Sequence, residues 1–214
     1  MKLYTYFRSS AAWRVRIALA LKGIRTDNQF IHLLKNGGQQ RTAAFRAVNP
    51  MGLVPALVLD DGTVLTQSIA IMEYLEETHP EPPLLPDDPE ARAHVRAFAL
   101  SVACEIHPLN NLRILRYLKD AMGQSDAARD EWYHHWIDEG LTALETTVRD
   151  TGPGPFLFGA APGMADVCLV PQLANARRVK CPVDAYPTLL RVEAAALALP
   201  AFRHTAPDRQ PDTE

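Results

Sequence analysis

Residues 79–90, His-Pro-Glu-Pro-Pro-Leu-Leu-Pro-Asp-Asp-Pro-Glu, hold five prolines. Proline fixes φ and donates no backbone hydrogen bond, so neither a helix interior nor a central strand can run through such a stretch. The chain is therefore cut into two pieces on either side of a linker. The pieces differ in pattern, and that difference sets the expected fold.

Ahead of the linker, short β-forming runs alternate with helical ones. Residues 2–7 are rich in β-formers and read as a strand. The run from Trp13 to Lys22 is helical, with Val15, Ala18, Leu19 and Lys22 at helical spacing and Gly23 as its stop. Residues 28–33 read as a second strand and 41–47 as a short helix. Asn49-Pro50 and Gly52 mark a turn, 54–59 a buried strand, and Asp61-Gly62 a hairpin turn into a partner strand from Thr63. Residues 67–78 are helical, with Ile71, Met72 and Leu75 on one face. The order β-α-β-α-β-β-α predicts a small α/β domain over 1–79.

Beyond the linker, strands disappear. Residues 91–121 form one long helical pattern, with Val95, Phe98, Val102, Ile106 and Leu109 on one face and Pro108 as a kink. Residues 131–149, 166–180 (kinked by Pro171) and 188–199 are helical as well, and the tail from Pro200 is irregular. The expectation is an all-helical domain over 91–214 joined to the first by the linker 80–90.

Composition excludes several classes of function. Lys and Arg number 22 against 25 Asp and Glu, a net charge of −3, which lacks the basic footprint of a general nucleic-acid binder. Cys104, Cys168 and Cys181 form no CxxC pair, so neither a zinc ribbon nor a dithiol site is expected. The seven histidines show no HExxH spacing, and no metal is expected. No apolar run approaches the ~18 residues of a membrane span. The first residues lack a secretory apolar core, and the expected location is the cytoplasm.

Five places carry residues that can serve chemistry as well as the fold. Ser9 and Ser10 sit where the first strand hands over to the first helix. A serine there satisfies an ordinary helix cap, and the same helix end can stabilise an anion such as a thiolate. Val54-Pro55 opens a strand, either as a plain strand-starting proline or as a cis bond that turns backbone groups toward an extended ligand. Gln67-Ser68 precedes an apolar helix, as a cap or as a carboxylate site. His107-Pro108-Leu109-Asn110-Asn111 interrupts a helical pattern, either as a kink whose freed carbonyls the Asn side chains meet or as a polar wall facing a cleft, with His107 and Asn111, four apart, on one face. Arg177-Arg178 closes a helix, where cations meet the negative end of the dipole.

As an ordered set these features resemble the cytosolic glutathione transferase family over essentially the whole chain. Ser9-Ser10-Ala11-Ala12-Trp13-Arg14-Val15-Arg16-Ile17-Ala18-Leu19 is similar to the signature of its zeta class. Asn49-Pro50, Val54-Pro55-Ala56-Leu57, Gln67-Ser68-Ile69-Ala70-Ile71, Leu84-Leu85-Pro86, Leu169-Val170-Pro171-Gln172 and Arg209-Gln210-Pro211-Asp212 fit the same class. The chain departs from it twice. Ala11 stands where zeta members commonly carry cysteine, and Gly163 stands where the family has a helix-capping Ser or Thr three residues before Asp166.

The resemblance implies a thioredoxin-like N-terminal domain, an all-α C-terminal domain, glutathione as cofactor and a homodimer. It implies cis–trans isomerisation of a small cis-enedioyl dicarboxylate: maleylacetoacetate, in tyrosine and phenylalanine breakdown, or alternatively maleylpyruvate. Conjugation of glutathione, or its mere binding, are further alternatives. Ser9, with Ser10 assisting, is the implied thiolate partner, and Val54, Pro55, Gln67 and Ser68 hold glutathione. Arg8 and Arg177 meet the substrate's charge, and His107 and Asn111 line the glutathione side.

Overall fold

The computed structural model describes residues 1–149 and 154–214. These form two compact units, Met1–Leu84 with Leu197–Glu214, and Leu85–Ala196.

In the first unit the elements are β1 (Lys2–Thr5), α1 (Ser10–Leu21), β2 (Asp27–Phe30), α2 (Ala43–Val48), β3 (Ala56–Val58), β4 (Val64–Thr66) and α3 (Ser68–Thr78). The sheet order is β2-β1-β3-β4, with β1 and β2 parallel and the other pairs antiparallel. The pattern β-α-β-α-β-β-α predicted a small α/β domain, and this is the thioredoxin-like arrangement that the resemblance implied. Side chains alternate across a strand. On β1, Tyr4 points to the face where Phe45 of α2 meets it edge-on, ring centroids 5.6 Å apart. Thr5 points to the other face, where Arg16 of α1 donates to its hydroxyl at 2.9 Å. Leu3, Val15, Ile17, Leu57, Ile71, Met72 and Leu75 fill the core of this unit.

The helix α1 is buried around most of its girth, from Trp13 to Leu19, and this includes Arg14 and Arg16. Buried donors must find acceptors. Arg16 donates to Thr5 Oγ1, to the Tyr6 and Phe7 carbonyls and, through Nε, to the Thr205 carbonyl at 3.2 Å. Trp13 Nε1 donates to Thr205 Oγ1 at 3.0 Å. Thr205 lies in the C-terminal tail, just after α9 (Pro200–Arg203), whose Phe202 is fully buried. The tail therefore groups with the α/β unit, whereas the expectation placed all of 91–214 in the helical domain. The reason is long-range: α1 has N–H groups that its own helix cannot satisfy, and the tail supplies oxygens.

Residues 79–88 have no regular helix or strand, a helix already begins at Pro89, and the first part of the stretch is pinned. The buried Lys22 ammonium donates to Glu76 at 2.8 Å and to the carbonyls of His79 and Pro82. Glu76 also accepts the Leu84 amide with both oxygens.

The second unit contains α4 (Pro89–Leu100), α5 (Leu112–Asp120), α6 (Asp126–Val148), α7 (Met164–Arg178) and most of α8 (Pro187–Ala198). The single kinked helix expected over 91–121 is instead broken. After α4 the chain widens through Ser101–Ile106 into a turn in which the His107 amide bonds the Val102 carbonyl, five residues back, at 3.0 Å. Pro108 lacks the N–H needed to resume the ladder. The helix restarts only where Asn111 Oδ1 caps α5 by accepting from the Arg113 amide at 3.0 Å.

Two buried carboxylates hold helix starts together. Asp166 of α7 accepts the amides of Gly163 at 2.8 Å and Leu157 at 2.9 Å. Gly163 has no side chain, so only this half of a reciprocal capping pair exists. Glu145 of α6 accepts the Thr188 and Leu189 amides, satisfying the first turn of α8 from a neighbouring helix. No helix among the described residues is long and apolar enough to cross a membrane.

Candidate active site

In the α/β unit, the β1–α1 turn presents Arg8, Ser9 and Ser10. Ser9 is the cap of α1: its backbone is extended and its Oγ accepts the Ala12 amide at 3.2 Å. The cap uses a lone pair only. The hydroxyl proton is left to donate, beside the positive end of a helix of twelve residues. Capping therefore leaves the same hydroxyl able to donate to an anion. Ser10, the first helical residue, is buried, which makes it the less accessible of the pair. Arg8 is exposed, its guanidinium 5.1 Å from the centroid of the Phe7 ring.

The Val54–Pro55 bond is cis. The sheet register stops at Ala56, so Val54 lies outside the paired residues, beside Tyr6, Phe7 and Phe45 in one buried cluster. The proline begins no ladder and costs the sheet no donor.

Gln67, at the start of α3, has φ of 69° and ψ of 120°. A non-glycine residue in that region is strained, and such strain concentrates at ligand clamps. No side chain among the described residues caps α3. Ser68, read from sequence as its cap, is instead the first helical residue. Its buried Oγ accepts from Arg14 of α1 at 3.3 Å. Among the described residues no side-chain oxygen caps the N-terminal amides of α3, and a side-chain cation lies beside Ser68.

The helical unit holds the remaining candidates. His107 and Asn111 do not share a helix face, because the helix is interrupted between them. Asn111 is instead the cap of α5, which leaves its side-chain NH₂ as the group able to face a ligand. Arg177 is not the free cation that the sequence suggested. Both its terminal nitrogens pair with the two carboxylate oxygens of buried Glu193 on α8. This ion pair holds the Arg177 guanidinium above its ordinary pKa. Arg178, the next residue, is exposed, and its partner among the described residues is the Tyr133 hydroxyl at 3.3 Å. Sequence reading missed this exchange, since the pair Arg-Arg carries no local sign of which member an acid on another helix will take. Burial raises the Tyr133 hydroxyl pKa, with Arg178 opposing.

The description "Glutathione S-transferase, N-terminal domain" matches residues 8–78, and "Glutathione S-transferase, C-terminal domain" matches residues 126–207. The chain belongs to the glutathione S-transferase family. It is 48% identical over 213 residues to the maleylacetoacetate isomerase of Pseudomonas aeruginosa, covering 100% of this chain and 99% of that one. A solved holo structure of maleyl pyruvate isomerase, described as a bacterial zeta-class glutathione S-transferase, superposes with a TM-score of 0.96 at 45% identity, with both chains fully covered. The maleylacetoacetate isomerase of Methylobacterium extorquens AM1, solved with bound malonate and glutathione, gives a TM-score of 0.96 at 41% identity, again with both chains fully covered.

Proposed function

We propose that this chain is a glutathione-dependent cis–trans isomerase acting on maleylacetoacetate, with maleylpyruvate as the second reading. The observation that carries the proposal is the pair of helix starts in the α/β unit. One is capped by Ser9 with a hydroxyl proton to spare, and the other opens without a side-chain cap behind Gln67. Relatives of nearly half identity over the full chain include both isomerases.

The residues present fit glutathione. The N-terminal amides of α3, Ser68 and the Gln67 side chain suit the γ-glutamyl carboxylate. The Val54 backbone, outside the sheet register, suits main-chain pairing with the cysteinyl residue. The Ser9 hydroxyl and the N-terminus of α1 suit a sulfur anion, lowering the thiol's pKa as helix starts do for cysteines. When bound, glutathione supplies the thiolate that adds to the cis double bond, permits rotation, and leaves.

The chain's own work is electrostatic. Arg8, exposed and with its guanidinium over the Phe7 ring, suits negative charge on the substrate. Arg178 takes the role expected of Arg177, which Glu193 already occupies. Ala11 supplies no nucleophile, so on this reading no protein cysteine is needed at that position. A cytoplasmic homodimer completes the proposal. Purified protein assayed with both cis acids, with and without glutathione, tests it. Isomerisation of maleylacetoacetate only when glutathione is present is the expected result, and faster turnover of maleylpyruvate selects the second reading.

A further inference from the structure

The Phe7 peptide group, one residue ahead of the Arg8-Ser9-Ser10 turn, is held from both sides. Its carbonyl accepts from Arg16 NH2 at 3.1 Å. Its N–H is bonded to Asp212 Oδ2 at 2.9 Å, across 205 positions of sequence. Within the turn itself, the Ser9 amide bonds the Tyr6 carbonyl at 3.0 Å, and Arg16 NH1 takes the same carbonyl at 3.2 Å. Arg16 and Asp212 thus grip the strand end just where it becomes the site.

The residues on either side of Asp212 are anchored. Gln210 Nε2 donates to the Ala206 carbonyl at 3.2 Å, and the Thr213 hydroxyl to the Pro207 carbonyl. Glu214 pairs with Lys35 and lies 3.2 Å from His32 Nε2. Chain ends are poorly ordered unless tied down, and this one is tied through Gln210, Thr213 and Glu214 on either side of Asp212. That carboxylate also offsets the buried Arg16 guanidinium.

We infer that Asp212 is a positioning residue for the active site: by holding the Phe7 peptide it sets the direction of Ser9 Oγ and Arg8. The inference rests on the proposed role of Ser9 toward the glutathione sulfur. Rotation of the Phe7 peptide would swing the following turn while leaving the glutathione contacts of Val54 and α3 in place. Asp212 therefore governs kcat rather than cofactor affinity.

The test compares kcat, KM and calorimetric glutathione binding for the full chain carrying Asp212→Ala or Asp212→Asn. Displacing a reacting group by ~1 Å can cost up to ~100-fold, so Asp212→Ala is expected to lower kcat about tenfold, with the glutathione Kd changed by less than about twofold. Asp212→Asn keeps an oxygen acceptor for the Phe7 amide and is expected to recover most of that loss. Wild-type kcat in Asp212→Ala, equal losses in both variants, or a weakened Kd with kcat intact would each overturn the inference. If Asp212→Ala does not fold, Asp212→Glu serves: it keeps the charge but shifts the acceptor by one methylene. Reduced kcat is expected there, and wild-type kcat overturns the inference. Failure of the unaltered protein to bind glutathione in the same calorimetry would instead reject the proposed function.

Discussion

The guanidinium of Arg177 and the carboxylate of Glu193 face each other as two parallel forks, clamping the end of α7 to α8. Glu193 is almost wholly buried, its side chain 6% exposed against 44% for Arg177. The pair is therefore expected to matter for folding and the neighbouring Arg178 for substrate. Arg177→Ala strands a buried carboxylate and should cost roughly 1–2 kcal/mol, less than the ~3–5 of a fully buried pair because Arg177 is partly solvated. Arg178→Ala should leave thermal unfolding nearly unmoved and reduce kcat/KM at least about tenfold, the effect of losing one charge-assisted contact. Melting curves and steady-state kinetics on the two variants decide between them. A kinetic loss in Arg177→Ala with Arg178→Ala at wild-type activity would return the substrate role to Arg177.

Ser9 does two jobs, and a single substitution can separate them. Glycine is tolerated at a helix cap at a cost of only a few tenths of a kcal/mol, whereas alanine costs ~1 kcal/mol. Ser9→Gly should therefore remain nearly as stable as the parent yet lose about 10- to 100-fold in turnover at neutral pH, because a hydrogen bond to a charged sulfur is worth ~1.5–3 kcal/mol. Ser9→Ala should show the same kinetic loss with a lower melting temperature. Full turnover in Ser9→Gly would assign thiolate stabilisation to the α1 amides alone.

Asp166 gives the stability a distinct pH dependence. Burial pushes its carboxyl up to about 6, although the Gly163 and Leu157 amides favour the ionised form. A raised folded-state pKa means that the native protein binds more protons than the unfolded chain. The contribution of this group is fully present below the unfolded value of 3.8 and is lost as pH rises through about 6. In Asp166→Asn that component vanishes. The gap in melting temperature between parent and variant should change between pH 4 and pH 7, in the direction that favours the parent at the acid end. A gap independent of pH would show that the carboxyl titrates alike in both states.

A homodimer is expected in solution. Light scattering at micromolar concentration should report about twice the chain mass of 23.7 kDa. A species at the single-chain mass alone would refute the dimer.

Local sequence determined the order of elements in the first half. Residues 2–7 are rich in β-formers, Asp61-Gly62 turns a hairpin, and Gln67-Ser68 marks a helix start, because each depends on neighbours within a turn or two of the chain. Five prolines alone located the connector. The candidates around Ser9, Val54 and Gln67 were legible for the same reason, since helix starts and strand-initiating prolines announce themselves locally.

Tertiary structure decided what those signals could not reach. It broke the helix at Pro108, where apolar periodicity continued on either side but the hydrogen-bond ladder did not. It gave Arg177 to Glu193, 16 residues away, and left Arg178 exposed, a choice that no adjacent residue records. It folded the tail back so that Thr205 meets Trp13 and Asp212 meets Phe7. Periodicity reports which face of an element is apolar. It is silent on which distant oxygen satisfies a buried N–H, because that pairing follows from where the packed chain brings the two together.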